Sequence, residues 1–224
     1  MNLGDLRRRL RGPMYLRDHE PPYNYEDETL DWGLNEALRE AAVRASLTRA
    51  DRVEIPLTAG EPLYGFPAGM TVLEVLKDRV CLASNPDLFL EEYSLRARAG
   101  VSLLRGLGTG TPRFYALDVV QAGAVRAIRF DPVPVAADTA LLDVVRLPRP
   151  LVNDADVPEV PPVWHPDLLD WAAHLALGDP TLDTFDAGRS KLFADKFEAK
   201  FGPRLSAAEL QRRQTDEPLA MIVE

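Results

Sequence analysis

Residues 27–57, DETLDWGLNEALREAAVRASLTRADRVEIPL, contain both hydrophobic periods that organise this chain. In the first part, apolar residues recur every three or four positions and predict a helix that runs to about Ser46. Asn24 and the acids that follow it predict the start of this helix, because Asn caps helices and acids favour the positive end of the helix dipole. From Asp51 the apolar residues alternate with polar ones, which predicts a strand. The alternating residues are Val53, Ile55 and Leu57.

The region after this strand predicts a mostly antiparallel β unit. Short apolar runs separated by glycine, proline or a Lys-Asp pair predict strands at residues 63–64, 70–75, 79–82 and 140–147. Residues 113–119 and 124–130 flank a Gln-Ala-Gly segment and predict a hairpin. Residues 86–104 have the composition of a helix, so we expect one helix within this unit.

Two further helices are predicted after a proline-rich acidic connector at residues 148–162. Pro166 suits the first turn of the first helix, where its missing N–H has no partner to lose. Phe193, Phe197 and Phe201 recur at four-residue spacing in the second helix and predict its buried face. The proline-rich composition of the connector predicts an extended linker.

The predicted fold class is α+β, with a helical bundle formed by the N- and C-terminal helices and an inserted, mostly antiparallel β unit. Leucines at helical spacing in residues 2–11 predict a further short helix in the N-terminal part. We expect the bundle to comprise residues 1–50 and 163–204, the β unit 51–147, the linker 148–162, and a docking tail 205–224.

Charge and composition narrow the function classes. The 224 residues carry a formal net charge of -9, with a pI near 4.9, which disfavours a protein that wraps nucleic acid with a basic face. The single cysteine, Cys81, lies in an apolar run and is expected to be a small buried hydrophobe. No apolar stretch approaches the ~18 residues of a membrane span, so we expect a chain made in the cytoplasm without membrane contact.

Residues suited to catalysis or metal binding do not cluster in this sequence. His19, His165 and His174 stand far apart and no HExxH motif is present, so we predict no metal site and structural hydrogen bonds for His165 and His174. The glycine-rich run at residues 106–112 precedes a predicted strand, whereas a phosphate-binding loop must open a helix. We therefore predict a turn there, no cofactor and no catalytic residue.

The final residues, Leu219-Ala220-Met221-Ile222-Val223-Glu224, form an apolar run that needs a surface to cover it. Contiguous exposed apolar patches mark protein interfaces more often than catalytic clefts. We therefore expect an assembly component whose last segment docks on a partner. The expected contact residues are Leu205, Leu210, Leu219, Met221, Ile222 and Val223.

Four stretches carry a likeness to a known family through their order and spacing. They are residues 29–41 with a Leu-Asn-Glu-Ala core, residues 55–64 followed by Pro67, residues 108–115 with Gly-Thr-Pro-Arg before Phe-Tyr, and residues 146–161 leading to His165. Together they resemble the head-to-tail adaptor (connector) proteins of tailed bacteriophages and related gene-transfer particles. The likeness extends over residues 3–201.

This resemblance implies a structural virion protein and not an enzyme. It implies a homo-oligomeric ring, usually of twelve copies, which joins the portal to the tail or nozzle proteins at the neck of the particle. Residues 205–224 would then dock on the portal. The ring would continue the DNA channel and contact passing double-stranded DNA without specific binding.

Two alternatives to the adaptor remain open from the sequence. A tail-completion or head-closure protein would differ only in its position in the particle. A small hydrolase or nuclease would use His165 with Asp154, Asp156 and Glu159 of the connector, and would be a monomer with a cleft.

Overall fold

The computed structural model describes residues 1–93, 108–119 and 124–204. The chain divides into two compact units. The helical unit comprises Met1–Thr48 and Leu147–Arg204, and the sheet unit comprises Arg49–Arg146. Helices in one unit and a mostly antiparallel sheet in the other confirm the predicted α+β class.

Four helices form the described part of the helical unit. They are α1 (Leu3–Arg11), α2 (Asp27–Ala45), α3 (His165–Leu177) and α4 (Ala187–Phe201), and a 3-10 helix at Pro162–Trp164 precedes α3. Helix α1 starts after Asn2, whose side chain accepts the Asp5 amide at 2.8 Å. Pro166 lies in the first turn of α3, as its missing N–H predicts.

The start of α2 differs from the prediction, because its N-cap residue is Glu26 and not Asn24. The amide and the side chain of Asn24 both donate to the Asp18 carboxylate, at 2.7 and 3.1 Å. This contact uses the Asn24 side chain in the preceding loop. Hydrogen bonds that Asn24 donates to Asp18 have therefore replaced the predicted capping role.

One apolar core holds the four helices together, and α3 packs against both α2 and α4. A Cβ placed on Gly33 of α2 would lie 3.7 Å from the Ala172 Cα of α3, at van der Waals distance, so the two helices are in contact at this glycine. The three phenylalanines of α4 are buried, as predicted. They are Phe193, Phe197 and Phe201.

Residues 148–162 pack on the helical unit, whereas their proline-rich composition predicts an extended linker. The carbonyl oxygen of Asp156 accepts the Leu3 amide at 2.8 Å, at the start of α1. Asn35 of α2 accepts the Leu151 amide at 2.7 Å and donates to the Leu151 carbonyl at 3.0 Å. Because the first amides of a helix need acceptors, the connector completes α1 as well as joining two units of the chain.

Ten strands form the described part of the sheet unit. They are β1 (Arg49–Leu57), β2 (Leu63–Gly65), β3 (Val72–Leu82), β4 (Asn85–Phe89), β5 (Glu91–Glu92), β6 (Thr109–Gly110), β7 (Phe114–Val119), β8 (Val125–Asp131), β9 (Val133–Pro134) and β10 (Asp138–Arg146). The main sheet has the order β1-β10-β3-β8-β7-β5, with β2 on β8 and β4 on β3, and β6 pairs with β9. The short pairs β5–β7 and β6–β9 are parallel.

Three secondary-structure predictions made from the sequence are wrong in this unit. The helix predicted at residues 86–104 is wrong where the chain is described, because β4 and β5 lie there, and residues 94–104 fall outside the described part. The Leu90 amide donates to the Val80 carbonyl at 2.7 Å, so pairing with β3 overrides local helix propensity. The two strands predicted at residues 70–82 are the single strand β3, and the predicted glycine-rich turn contains β6.

The hairpin of β7 and β8 and the burial of Cys81 confirm two other predictions. Phe114 pairs with Asp131 and Leu117 with Ile128 in the antiparallel register of the hairpin. The thiol of Cys81 is buried on β3, and burial raises its pKa. A thiol with a raised pKa is a poor nucleophile, which fits a packing role.

A buried ion pair fixes the loop between α1 and α2. Asp18 is 2% exposed and accepts a hydrogen bond from Arg11 at 2.5 Å. Arg11 also donates to the Tyr25 carbonyl at 2.8 Å and to Asp27 at 2.7 Å. Since the charges are paired and hydrogen-bonded, the chain tolerates their burial, and losing one partner would leave the other uncompensated.

Asp170 is a second buried acid, on α3, and is 8% exposed. Burial raises its pKa from an ordinary 3.8 to about 6, while Lys196 and Lys200 oppose the shift and Asp167 adds to it. Compared with the unfolded chain, the folded protein therefore holds the proton of this carboxyl to a higher pH. Folding takes up a proton between the two pKa values, so this group makes the protein less stable as pH rises through that window.

We predict that Asp18→Ala lowers the free energy of unfolding by about 3 kcal/mol, because it leaves the Arg11 guanidinium buried with fewer partners. Urea denaturation followed by circular dichroism measures this. Arg8→Ala, at an exposed side chain of the neighbouring turn, is the matched control and should cost under about 0.5 kcal/mol. Equal effects of the two substitutions would contradict a structural role for the buried pair.

We predict that Asp170→Asn raises the free energy of unfolding by about 2 kcal/mol at about pH 7, because the amide removes a buried negative charge. The gain should vanish at about pH 4, where the wild-type carboxyl is protonated in the folded protein. Urea denaturation at the two pH values measures the difference. The exposed loop acid in Asp183→Asn is the control, and a gain independent of pH would contradict the assignment to Asp170.

Candidate functional site

Two of the three histidines make hydrogen bonds within the helical unit, which confirms the structural role predicted for them. His165 is buried, with Nε2 3.0 Å from the Val160 carbonyl and Nδ1 3.0 Å from the Met1 amino group. Burial lowers the pKa of His165. His174 Nδ1 lies 2.9 Å from the Ser190 hydroxyl and thereby links α3 to α4.

The acids of the connector that the hydrolase alternative would use take part in structural contacts. The Asp154 carboxylate lies 3.0 Å from the Arg7 guanidinium. The Asp156 carboxylate accepts the amides of Val152 and Asn153, each at 2.8 Å, and these hydrogen bonds lower its pKa. Glu159 accepts the Arg149 amide at 2.9 Å. These acids and buried His165 therefore form no open catalytic set.

Metal and nucleotide sites find no support in the described residues. Within residues 1–93, 108–119 and 124–204, no group of three or more His, Cys, Asp and Glu side chains is placed to hold a metal ion. The part of the glycine-rich run that is described leads into strand β7, where a phosphate loop would open a helix. The remaining candidates for a functional role in the described residues are side chains on the surface.

Exposed large apolar side chains occur in both units. In the sheet unit they are Leu63, Leu88, Phe89, Phe114 and Val135, and in the helical unit they are Met14, Tyr23, Trp32, Val152, Val157, Val163, Phe185 and Leu192. Single exposed apolar residues are ordinary on a protein surface, whereas clusters mark interfaces. The positions of these residues along the strands and helices decide which of them can belong to one interface.

Strand β4 is the most exposed strand of the sheet unit. All five of its residues are exposed, including Leu88 and Phe89, and the next residue, Leu90, is buried. Phe114 of β7 pairs in register with Glu91, two residues beyond Phe89. Successive residues of a strand point to opposite faces, so Phe89 and not Leu88 shares a face with Glu91. Sequence reasoning missed the exposure of β4, because it predicted a helix in this segment.

The contact residues predicted in the tail lie outside the described part of the chain. They are Leu205, Leu210, Leu219, Met221, Ile222 and Val223. The Ser-Ala-Ala-Glu run at residues 206–209, whose pattern predicts a helix-capping box, lies there too. Docking by this segment stays a prediction.

In the described residues, the buried acids and histidines support an α+β fold, and exposed apolar residues lie on helix and strand surfaces. Comparison with protein families gives the particular assignment. The family model described as SU10 adaptor protein matches residues 1–221, so the chain belongs to this family of phage head-to-tail adaptors. The resemblance found in the sequence is confirmed.

Membership in this family makes the chain a structural component of a bacteriophage virion that contacts other head and tail components. A search of curated proteins found no match. In the described residues, no helix combines the length and apolarity needed to cross a membrane.

Proposed function

We propose that the chain forms a ring, seated between the portal and the tail or nozzle proteins at the neck of the virion, that continues the DNA channel. The observation that carries this proposal is the family match over residues 1–221. The ring would contain twelve copies, the number that the family resemblance implies. Each copy would bind two neighbours as well as the proteins above and below it.

The portal contact would be made by residues 205–224. Their apolar run at residues 219–223 contains leucine, methionine, isoleucine and valine. Side chains of this kind contribute binding free energy when a partner removes them from water, by roughly 25 cal/mol per Å² of apolar area. A portal surface with an apolar groove is the expected partner.

The net charge of -9 supports the proposed channel role. DNA carries one negative charge per ~1.7 Å of helix axis, so a protein with excess negative charge does not retain it by phosphate contacts. A ring of such chains would let double-stranded DNA pass without specific binding.

A tail-completion or head-closure protein is the second candidate of the same structural class. It would make the same kinds of protein contacts and differ in its place in the particle. A ring directly on the portal distinguishes the adaptor from both.

We predict that deleting residues 218–224 weakens binding to the portal at least about tenfold, because the apolar contact is lost. Titration of purified portal with the labelled chain measures the dissociation constant. Glu20→Gln, at an exposed position of the helical unit, should bind like the wild type. An unchanged dissociation constant in a deletion variant that keeps its circular dichroism spectrum would contradict portal docking by the tail.

We predict a closed ring of this chain on the portal in purified particles. Electron microscopy of the neck gives its position, and native mass spectrometry of the isolated portal complex gives its copy number. Density for the chain at the distal end of the tail, or a single copy per particle, would exclude the adaptor role.

A further inference from the structure

Helix α2 carries an exposed tryptophan between two acids. Trp32 is 58% exposed, and Glu28 and Glu36 lie one helical turn before and after it. Glu28 is exposed, and Glu36 is 3.4 Å from Arg39 on the same face. These four residues define the α2 outer face, which lies opposite the residues that pack into the helical core.

Helix α4 carries an exposed leucine between lysines. Leu192 is 51% exposed, and exposed Lys196 lies four residues beyond it on the same face. Exposed Lys191 lies at the edge of this face. Ala199, also exposed, and Gly188 continue the same face with little side-chain bulk. These five residues and the exposed acid Asp195 define the α4 outer face.

Both outer faces point away from the core that α2 and α4 share with α3. Gly33 of α2 packs on Ala172 of α3. Phe197 of α4 packs on Trp171 of α3, with ring centroids 5.0 Å apart. Because the two helices use opposite surfaces for packing and exposure, a contact between the outer faces requires two copies of the chain.

We propose that neighbouring copies in the ring join through these faces, with the α2 outer face of one copy on the α4 outer face of the next. Trp32 would pack on Leu192 beside the small residues of α4, and Glu28 and Glu36 would lie against Lys191 and Lys196. This inference rests on the proposed function, because it names the contact that builds the ring.

The chemistry of the two faces supports this pairing. Tryptophan is the residue type most enriched among those that dominate interface energies, and small facing residues let a large ring approach closely. Acids facing lysines favour the correct register and oppose the pairing of two α2 faces. A contact between two different surfaces is head-to-tail, which is the arrangement that closes rings.

The outer strand of the sheet is poorly suited to join copies by strand addition. Strand β1 ends the described strand order, and Pro56 within it has no N–H to donate. A register shift between Ala50 and Val53, with Arg52 at a φ of 53°, bends the same strand. Such features protect this sheet edge from pairing with another copy.

A cysteine pair tests the contact in assembled particles. Particles that contain Trp32→Cys with Leu192→Cys are oxidised with copper phenanthroline, and the products are separated under denaturing conditions without reductant. We expect a ladder of covalently linked copies that extends to the full ring. Each single substitution is a control and should give no ladder, because buried Cys81 is the only cysteine of the natural chain.

Charge reversal tests the register. Glu28→Lys with Glu36→Lys, and separately Lys191→Glu with Lys196→Glu, should each weaken association of copies about tenfold. All four changes in one chain should restore it, since opposite charges again face each other. Glu20→Lys is the matched control and should leave association unchanged, and circular dichroism should show that every variant is folded.

Two results overturn the inference while leaving the proposed function intact. One is a ring of normal size from chains with Trp32→Ala or with either charge reversal. The other is the absence of a ladder in particles whose micrographs show the ring. Particles without any ring of this chain would instead contradict the proposed function, and this contact with it.

Discussion

The pairing of β1 with β10 is the constraint on which the rest of the structure depends. Arg49 pairs with Val145, so the strands that begin and end the sheet unit lie side by side. The chain can therefore leave the helical unit at Thr48 and return at Leu147 without separating the helices on either side. Helices from distant parts of the sequence then share one core, in which Gly33 meets Ala172.

Most polar groups that resemble functional residues in the sequence contribute to this helical unit. Asp18 and Arg11 fix a loop, His174 joins two helices, and the backbone of the connector accepts amides at the start of α1. Their burial and mutual hydrogen bonds explain why they form no catalytic set. The tryptophan, leucine and phenylalanine side chains that remain exposed are the ones that we propose for contacts with other proteins.

Short-range patterns predicted the helices well. The leucines of α1 and α2 and the phenylalanines of α4 are in the core because a helical period of 3.6 residues places them on one face. The same patterns failed where a hydrogen-bond partner lies outside the segment that the pattern describes. Asn24 binds Asp18 and does not cap α2, and residues 86–92 are strands because β3 and β7 supply their hydrogen bonds.

By itself, the sequence determined the α+β class, the helical faces, the absence of a metal or phosphate motif and the family, because these depend on local periodicity, spacing and order. Only the tertiary structure decided that the connector packs on α1, that β4 is exposed, and that Trp32 and Leu192 lie outside the helical core. Those properties depend on which segments pack together, and the periodicity of one segment does not specify its partners.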